Sequence, residues 1–449
     1  MSRMLLATHG TNGDVLPFIA LGAALRARGH DVSLMTHAHY QRPTLDAGLA
    51  FLPLDTAEQY ERQLDDSHLL MNPLHDPQSL IRFYQRNRQF EQMHEEFQAL
   101  RALVVPGDTV IVARHTSGLA ALMLGEATGA PVAWVALSPS QLMTLPVTSY
   151  MYGQVLSGGI NQLRQGLGLP PVRDWRRWLD SPQVQLGLWP EWFAPPEPEW
   201  PRSLAPVGFV LHDAAEDGEL PPELRELLQR HPHPVLITGG TGQLLHAEFY
   251  RAAVEACHRA GLRALLVTRH RELVPSPLPM NIHWFPALPF RTLMPQVGAV
   301  LHHGGMGTLA RALWAGAPQL ILADGADRPD NAARLHRLGL AQWAAPERWS
   351  SPAVVEQLAS LATPEARQRC ASWASQIAPA QSLAAACEHL EALLRPEQLA
   401  RGAAPLTPND DPGLRDRLRG LTAAQRQALA TRLRQGAASA QPTPIEEQL

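Results

Sequence analysis

The sequence predicts an α/β protein of two successive halves, each a parallel sheet with helices between its strands, followed by a short helical extension. Three observations predict it. Short β-branched runs alternate with helical stretches through most of the chain, and a Gly-rich turn stands at a strand-to-helix junction in each half: THGTNGD at 8–14 and HHGGMGT at 302–308. Between the two series lies GLWPEWFAPPEPEWPRSLAPVGF, within about Leu186 to Asp213, whose prolines and tryptophans suit neither a helix nor a central strand, so it reads as an ordered crossing between domains. A chain of 449 residues exceeds one ordinary core. The expected division is 1–205, 206–396 and a tail at 397–449.

The first unit runs MLLA, THGTNGD, VLPFIALGAALRARG and HDVSLMT, a strand, turn, helix and strand. Phe18, Leu21 and Leu25 share one helical face, Pro17 is tolerated in a first turn, and Gly29 is placed to cap the end. Further strands follow at DTVIVAR and PVAWVAL. The second half opens at PVLITGGTG and continues through LRALLVT and GAVLHHGGMGTLARALWAGAPQLILA, in which Leu309, Ala312 and Leu313 give the helix its buried stripe and Gly316 and Pro318 stop it. After RGAAPLTPNDDPG, a linker by composition, GLTAAQRQALATRLRQG carries a Thr422/Gln425 capping box and ends at Gly436, so a small helical hairpin is expected there.

Composition removes whole classes of function. The formal net charge of −4 offers no basic excess for a nucleic-acid backbone. No apolar run reaches the length of a membrane span, and MSRMLLATHG turns polar before a secretory core forms, so the expected location is cytoplasmic. Cys257, Cys370 and Cys387 are too widely spaced for a zinc site or a disulfide framework and read as buried thiols. All 38 basic residues are arginine, which excludes Schiff-base chemistry, pyridoxal phosphate enzymes and the P-loop lysine together. No Asp-x-Asp triplet is present to carry a divalent metal to a diphosphate, so phosphate handling falls to histidine, arginine and backbone dipoles, with no metal and no cofactor expected.

The turn at 302–308 is built for an anion. Glycines let backbone N–H groups approach a ligand closely, and the helix start beyond them carries a partial positive charge. THGTNGDVLPFIALGAALRARGHDV together with FPALPFRTLMPQVGAVLHHGGMGTLARALWAGAPQLILADGADRPDNAARL resembles the inverting GT-B-fold glycosyltransferases that use UDP- or dTDP-sugars, over roughly residues 1–395. Within that family, SPQVQLGLWPEWFAPPEPEWP is similar to the interdomain stretch of bacterial rhamnolipid-forming rhamnosyltransferases. The resemblance implies two Rossmann-like domains facing each other across a cleft, with the acceptor mainly in the first and the nucleotide-sugar mainly in the second. It also implies a natural-product type of transfer in which a hexose or deoxyhexose, rhamnose favoured, passes to a hydroxyl of a lipid-like or lipopeptide-like acceptor.

Inverting transfer needs a base for the acceptor hydroxyl and a stabiliser of charge on the departing diphosphate. By resemblance His303 takes the second task, with Gly304, Gly305, Gly307 and Thr308 offering donors at the helix start and Thr241 a second phosphate-side hydroxyl. The alternative is a histidine capping its own helix. His302 reads as packing. Asp14 matches the position of the base, at the carboxyl end of the first strand where α/β clefts bind ligands, and it is equally placed for a helix N-cap. His115 is the second candidate base, against a reading as buried polar packing.

Trp284 and Phe285 fall where relatives hold the pyrimidine, or are core aromatics. Asp327 and Arg328 align with the family's acidic-Gln pair on the sugar hydroxyls; arginine donates to a carboxylate or phosphate but accepts nothing, which leaves a deoxyhexose, glucose or a uronic acid open. Arg311 replaces a glutamate that many plant relatives place on the ribose hydroxyls, which tilts the expectation toward dTDP. Residues 143–180 would line the acceptor pocket, and Trp175 and Trp178 with Arg173, Arg176 and Arg177 suit a peripheral lipid surface or an ordinary amphipathic helix. The tail resembles short helical segments that precede peptide-synthetase modules. Two rival readings stand beside this one. Gly305, Gly307, Ala310 and Asp324 also fit a dinucleotide-binding fingerprint, hence an NAD-dependent oxidoreductase, and the fold can persist as a catalytically silent partner in a biosynthetic complex.

Overall fold

A computed structural model of the chain describes residues 2–70, 76–212, 218–240 and 247–395. Thr241 and the tail, with its expected hairpin and peptide-synthetase contact, lie outside the described residues. The first sheet contains β1 (Arg3–Ala7), β2 (Asp31–Thr36), β3 (Ala50–Pro53), β4 (Thr109–Arg114), β5 (Val132–Ala136), β6 (Val184–Gly187) and β7 (Leu204–Pro206), ordered β3-β2-β1-β4-β5-β6-β7. The second contains β8 (Val235–Thr238), β9 (Ala264–Val267), β10 (Ile282–Phe285), β11 (Ala299–His302), β12 (Gln319–Leu322) and β13 (Ala341–Ala344), ordered β10-β9-β8-β11-β12-β13. Every pairing in both is parallel. Such strands are covered on both faces, which is why runs such as TVIVA are buried throughout rather than alternating.

Each sheet has a point where the strand order reverses, between β1 and β4 in the first and between β8 and β11 in the second. Crevices that bind ligands open at the carboxyl ends of strands at such points. Both Gly-rich turns leave from there. The first enters α1 (Asn12–Ala27), whose Phe18, Leu21 and Leu25 bury against Leu6, Leu34 and Val112 of the sheet. The second enters α2 (Met306–Trp314), with Leu309 and Leu313 packed against Ile321 and against the aromatics of the interdomain crossing, Trp189, Phe193, Trp200 and Phe209. The crossing is therefore a cored structure, held by apolar burial worth roughly 1.5–3 kcal/mol per large side chain.

Beyond α3 (Arg328–Arg337) the chain ends its described part in α4 (Pro379–Ala392), which returns to the first half. Ala386, Cys387 and Leu390 bury in the same cluster as α1. Arg28 donates to both oxygens of Glu391 at 2.7 Å, and the His30 ring lies 3.0 Å from the same carboxylate. The Arg28 bonds hold the Glu391 carboxyl down at about 2. A contact spanning more than three hundred residues leaves no trace in local pattern. The three cysteines are all free and buried.

Candidate functional site

The two turns meet in a cavity of about 560 Å³ between the sheets. Asp14, Arg114 and Phe209 wall it from one side, and Gly240, His303 and Arg328 from the other.

Asp14 is the third residue of α1, not its N-cap; the helix begins two residues before it, at Asn12. Its Oδ2 accepts the backbone N–H of Thr11 at 2.8 Å, and its Oδ1 lies 2.9 Å from Arg114 Nη2. Arg114 ends β4, the strand beside β1 at the reversal point, so the sheet order itself delivers a cation to this carboxylate. Gly10 makes the fold-back possible, because it has φ +121° and a Cβ there would lie 2.3 Å from Asp14 Oδ2.

In the other half, two glycines flank the His303 imidazole. A Cβ on Gly240 would come within 2.7 Å of its Cε1, and a Cβ on Gly305 within 2.4 Å of its Nε2. Burial first, then the nearby charge of Arg328, pushes the His303 pKa well below the usual histidine value. Burial outweighs the hydrogen bond to the Thr238 backbone that favours the charged ring, so the imidazole is held in its neutral form. Gly305 is the N-cap of α2, so the first-turn amides from Met306 to Thr308 have no acceptor within the helix and carry its positive dipole end. One imidazole and a helix start together present donors of the kind that suit an anion.

His302 does more than pack. Fully buried, it accepts the Gly304 N–H at Nδ1 (3.1 Å), so its Nε2–H donates to Gln319 Oε1 (2.9 Å), and burial holds its pKa down at about 4. Asn331, in α3, donates to the Gly304 carbonyl at 3.0 Å and to Asp327 Oδ2 at 2.8 Å. Asp327 and Arg328 both line the cavity. Burial raises the Asp327 pKa, and Arg328 is anchored by a 3.0 Å bond to the Asp324 carbonyl. Gly305, Gly307 and Thr308 line the cavity too; Gly304 lies beneath them, buried.

Other sequence candidates lie elsewhere. Trp284 and Phe285 are outside the cavity wall, on the edge strand β10: the Trp284 N–H bonds the Thr268 carbonyl and Arg271 covers its ring at 4.6 Å, while Phe285 packs into the second core. Phe290, five residues on, lines the cavity instead. His115 is completely buried edge-on to Trp134, and burial drives its pKa to about 3, so it has no access to a substrate proton. Of the stretch 143–180, Thr144 reaches the cavity; the first half's apolar and hydroxyl wall comes from Leu137, Ser138, Ser140 and Gln141. Trp178 is buried and Trp175 half-buried against the first core, the amphipathic-helix outcome. Arg311 is buried, bonding the His212 carbonyl at 3.3 Å and lining the cavity. Among the described residues no helix is long and apolar enough to cross a membrane.

Comparison with known proteins gives the family. Residues 4–107 match the family model of the glycosyltransferase family 28 N-terminal domain, and residues 262–388 that of the erythromycin biosynthesis protein CIII-like C-terminal domain. The O-mycaminosyltylonolide 6-deoxyallosyltransferase of Streptomyces fradiae is 30% identical over 379 residues, 76% of this chain and 84% of that protein. The vancomycin aglycone glucosyltransferase of Amycolatopsis orientalis is 27% identical over 75% of this chain and 84% of its own length. Among solved structures, the glycosyltransferase of kitacinnamycin superposes with a TM-score of 0.68 at 19% identity, covering 88% of this chain and 99% of its own. The glycosyltransferase VinC, solved with dTDP, gives 0.62 at 18% identity over 87% and 99%.

Proposed function

Because the chain belongs to the natural-product-type glycosyltransferases of the GT-B fold, we propose that it moves a hexose or deoxyhexose, rhamnose favoured, from a UDP- or dTDP-sugar to a hydroxyl of a lipid-like or natural-product acceptor, with inversion. The observation that carries the reading is that Asp14 and His303, one from each half, line a single cavity. Asp14 takes the acceptor proton as the oxygen attacks. Its carboxylate is held by the Thr11 amide and Arg114, which fixes where the attacking hydroxyl must come. His303 and the α2 amides receive the charge that grows on the diphosphate; a donor of this kind is worth about 2.7–4 kcal/mol in the transition state.

Asp327 and Arg328 face the donor sugar, and Phe290 takes a place on the donor side that Trp284 and Phe285 do not fill. The kinship with sugar transferases displaces the oxidoreductase reading of the Gly305–Ala310 fingerprint, and the proposed transfer uses His303 and the α2 amides in place of a metal. The wall from Leu137 to Gln141, with Phe209, suits an acceptor that is part apolar and part hydroxylated. The relative named for O-mycaminosyltylonolide and the structural neighbour solved with dTDP support the natural-product and nucleotide-sugar classes, not a particular sugar.

The test is a thermal-shift panel of UDP, dTDP and their sugars, followed by anomeric NMR of the product. A nucleotide at a hundred times its Kd stabilises the fold by about 2.7 kcal/mol. Stabilisation by UDP or dTDP with a product of inverted configuration supports the reading; no response to either nucleotide, or retention, contradicts it.

A further inference from the structure

The two Gly-rich turns are fixed by the same device. In the second half, Gly304 (φ +97°) gives its N–H to the neutral imidazole of His302 and takes a side-chain N–H of Asn331 on its carbonyl. In the first, Gly10 (φ +121°) gives its N–H to His37 Nε2 at 2.8 Å and takes the Tyr60 hydroxyl on its carbonyl at 3.0 Å. Since Nε2 accepts, Nδ1 must carry the proton of His37, and it donates to Asp55 Oδ2 at 2.7 Å. Asp55 spends its other oxygen on the Ala38 amide, 2.9 Å. A Tyr40 hydroxyl bond to Asn12 Oδ1, 2.9 Å, extends the grip by two residues.

We propose that His37 and Tyr60, with Asp55 behind His37, are positioning residues for transfer: they clamp the two peptide groups that flank Gly10 and so set the Asp14 carboxylate. This rests on the reading of Asp14 as base. His37 and Asp55 are buried to within 2% on their side chains, so neither touches a substrate, and none of the clamping groups belongs to α1. His37 ends up just past β2, and Tyr60 sits in the helix Ala57–Asp65. Asp14 Oδ2 rests over the α-carbon of Gly10, where a Cβ has no room, and the Gly10 carbonyl held by Tyr60 shares its peptide group with the Thr11 N–H that Asp14 Oδ2 accepts, so a rotation of that peptide moves the carboxylate directly. A histidine kept only to satisfy the core would not need its acceptor nitrogen aimed at this one amide.

The experiment measures hydrolysis of whichever nucleotide-sugar most raises the melting temperature, water taking the acceptor's place, in Tyr60→Phe and His37→Gln, each alone and combined with Asp14→Asn. Tyr60→Phe keeps the ring and removes the hydroxyl's bond to the Gly10 carbonyl together with its 3.2 Å contact to the Tyr40 hydroxyl. His37→Gln keeps an acceptor near Nε2 but loses the Asp55 bond. Expected is a fall in kcat of about tenfold to a hundredfold for Tyr60→Phe, the scale of a misplacement near 1 Å, and a smaller fall for His37→Gln. The Kd for dTDP or UDP should not move, and neither change should slow Asp14→Asn further. Unchanged kcat, or the same loss with and without Asp14, overturns the clamp. Where the Asp14→Asn rate is below detection, the split between kcat and nucleotide Kd in Tyr60→Phe decides. Full turnover by Asp14→Asn itself would instead remove the base assignment on which the clamp depends.

Discussion

Replacing Gly305 by alanine would test the proposed anion seat with one methyl group. Gly305 has φ −67° and ψ 141°, a conformation open to alanine, so the backbone has no reason to object. Its new Cβ would stand 2.4 Å from His303 Nε2 and 3.0 Å from Cε1, whereas ordinary contact begins near 3.4 Å. The imidazole must retreat by about 1 Å, and a reacting group misplaced by that much loses on the order of a hundredfold in rate. The same loss is about 2.7 kcal/mol, the low end of what one donor to a developing anion supplies. Stability should change little: alanine is the poorer N-cap but also restricts the unfolded chain, and these effects, each near 1 kcal/mol or below, oppose one another. The assay is release of nucleoside diphosphate from the donor, with urea unfolding as control. A Gly305→Ala enzyme within twofold of the parent in kcat would refute the reasoning, because the methyl cannot be placed without moving the ring.

Four further outcomes follow from the same geometry. Asp14→Asn should keep nucleotide affinity in calorimetry and lose transfer, whereas His303→Ala should weaken both. Gly10→Ala should fold less stably by about 1–3 kcal/mol, because φ +121° is closed to alanine, and should lose turnover as its Cβ displaces Asp14; normal activity in a folded Gly10→Ala protein would contradict this. Binding of dTDP or UDP should take up more protons in the parent than in His303→Ala, since the depressed His303 pKa rises beside a diphosphate; calorimetry in buffers of different ionisation enthalpy reads the difference, and identical proton exchange in the two would oppose the placement. Stability should fall on acidification below about pH 6.5: burial holds His115 near 3 and His302 near 4, so the unfolded chain binds protons the native one refuses. The two together contribute a slope of about 2.7 kcal/mol per pH unit between roughly pH 6 and 4, and a flat urea midpoint over that range would contradict it.

Local pattern carried the inner strands β1, β2, β4, β5, β8, β9, β11 and β12, the Gly-rich turns and the buried stripes of α1 and α2, whereas the short outer strands β3, β6, β7, β10 and β13 have too little apolar run to be read that way. The position of Asp14 shows the limit: an acid ahead of VLPFIAL reads as an N-cap, yet the helix starts at Asn12 and the acid reaches back to the Thr11 amide. Trp284 shows another. An edge strand has two faces, and the sequence of β10 does not say that Arg271 and the Thr268 carbonyl hold that indole against its own sheet while Phe290 turns to the cavity. Arg114, Asn331, His37 and Tyr60 were out of reach for a simpler reason. The partners that matter, Asp14 for Arg114, Gly304 for Asn331 and Gly10 for His37 and Tyr60, lie tens of residues away, although a charged residue closing the apolar run DTVIVAR was a signal for Arg114.

A crystal structure with dTDP or UDP bound tests the central claim most directly. The diphosphate is expected on the α2 amides with an oxygen within hydrogen-bond distance of the His303 ring, and Asp14 facing it across the cavity. A diphosphate lodged away from that helix start, with the imidazole turned from it, would contradict the account.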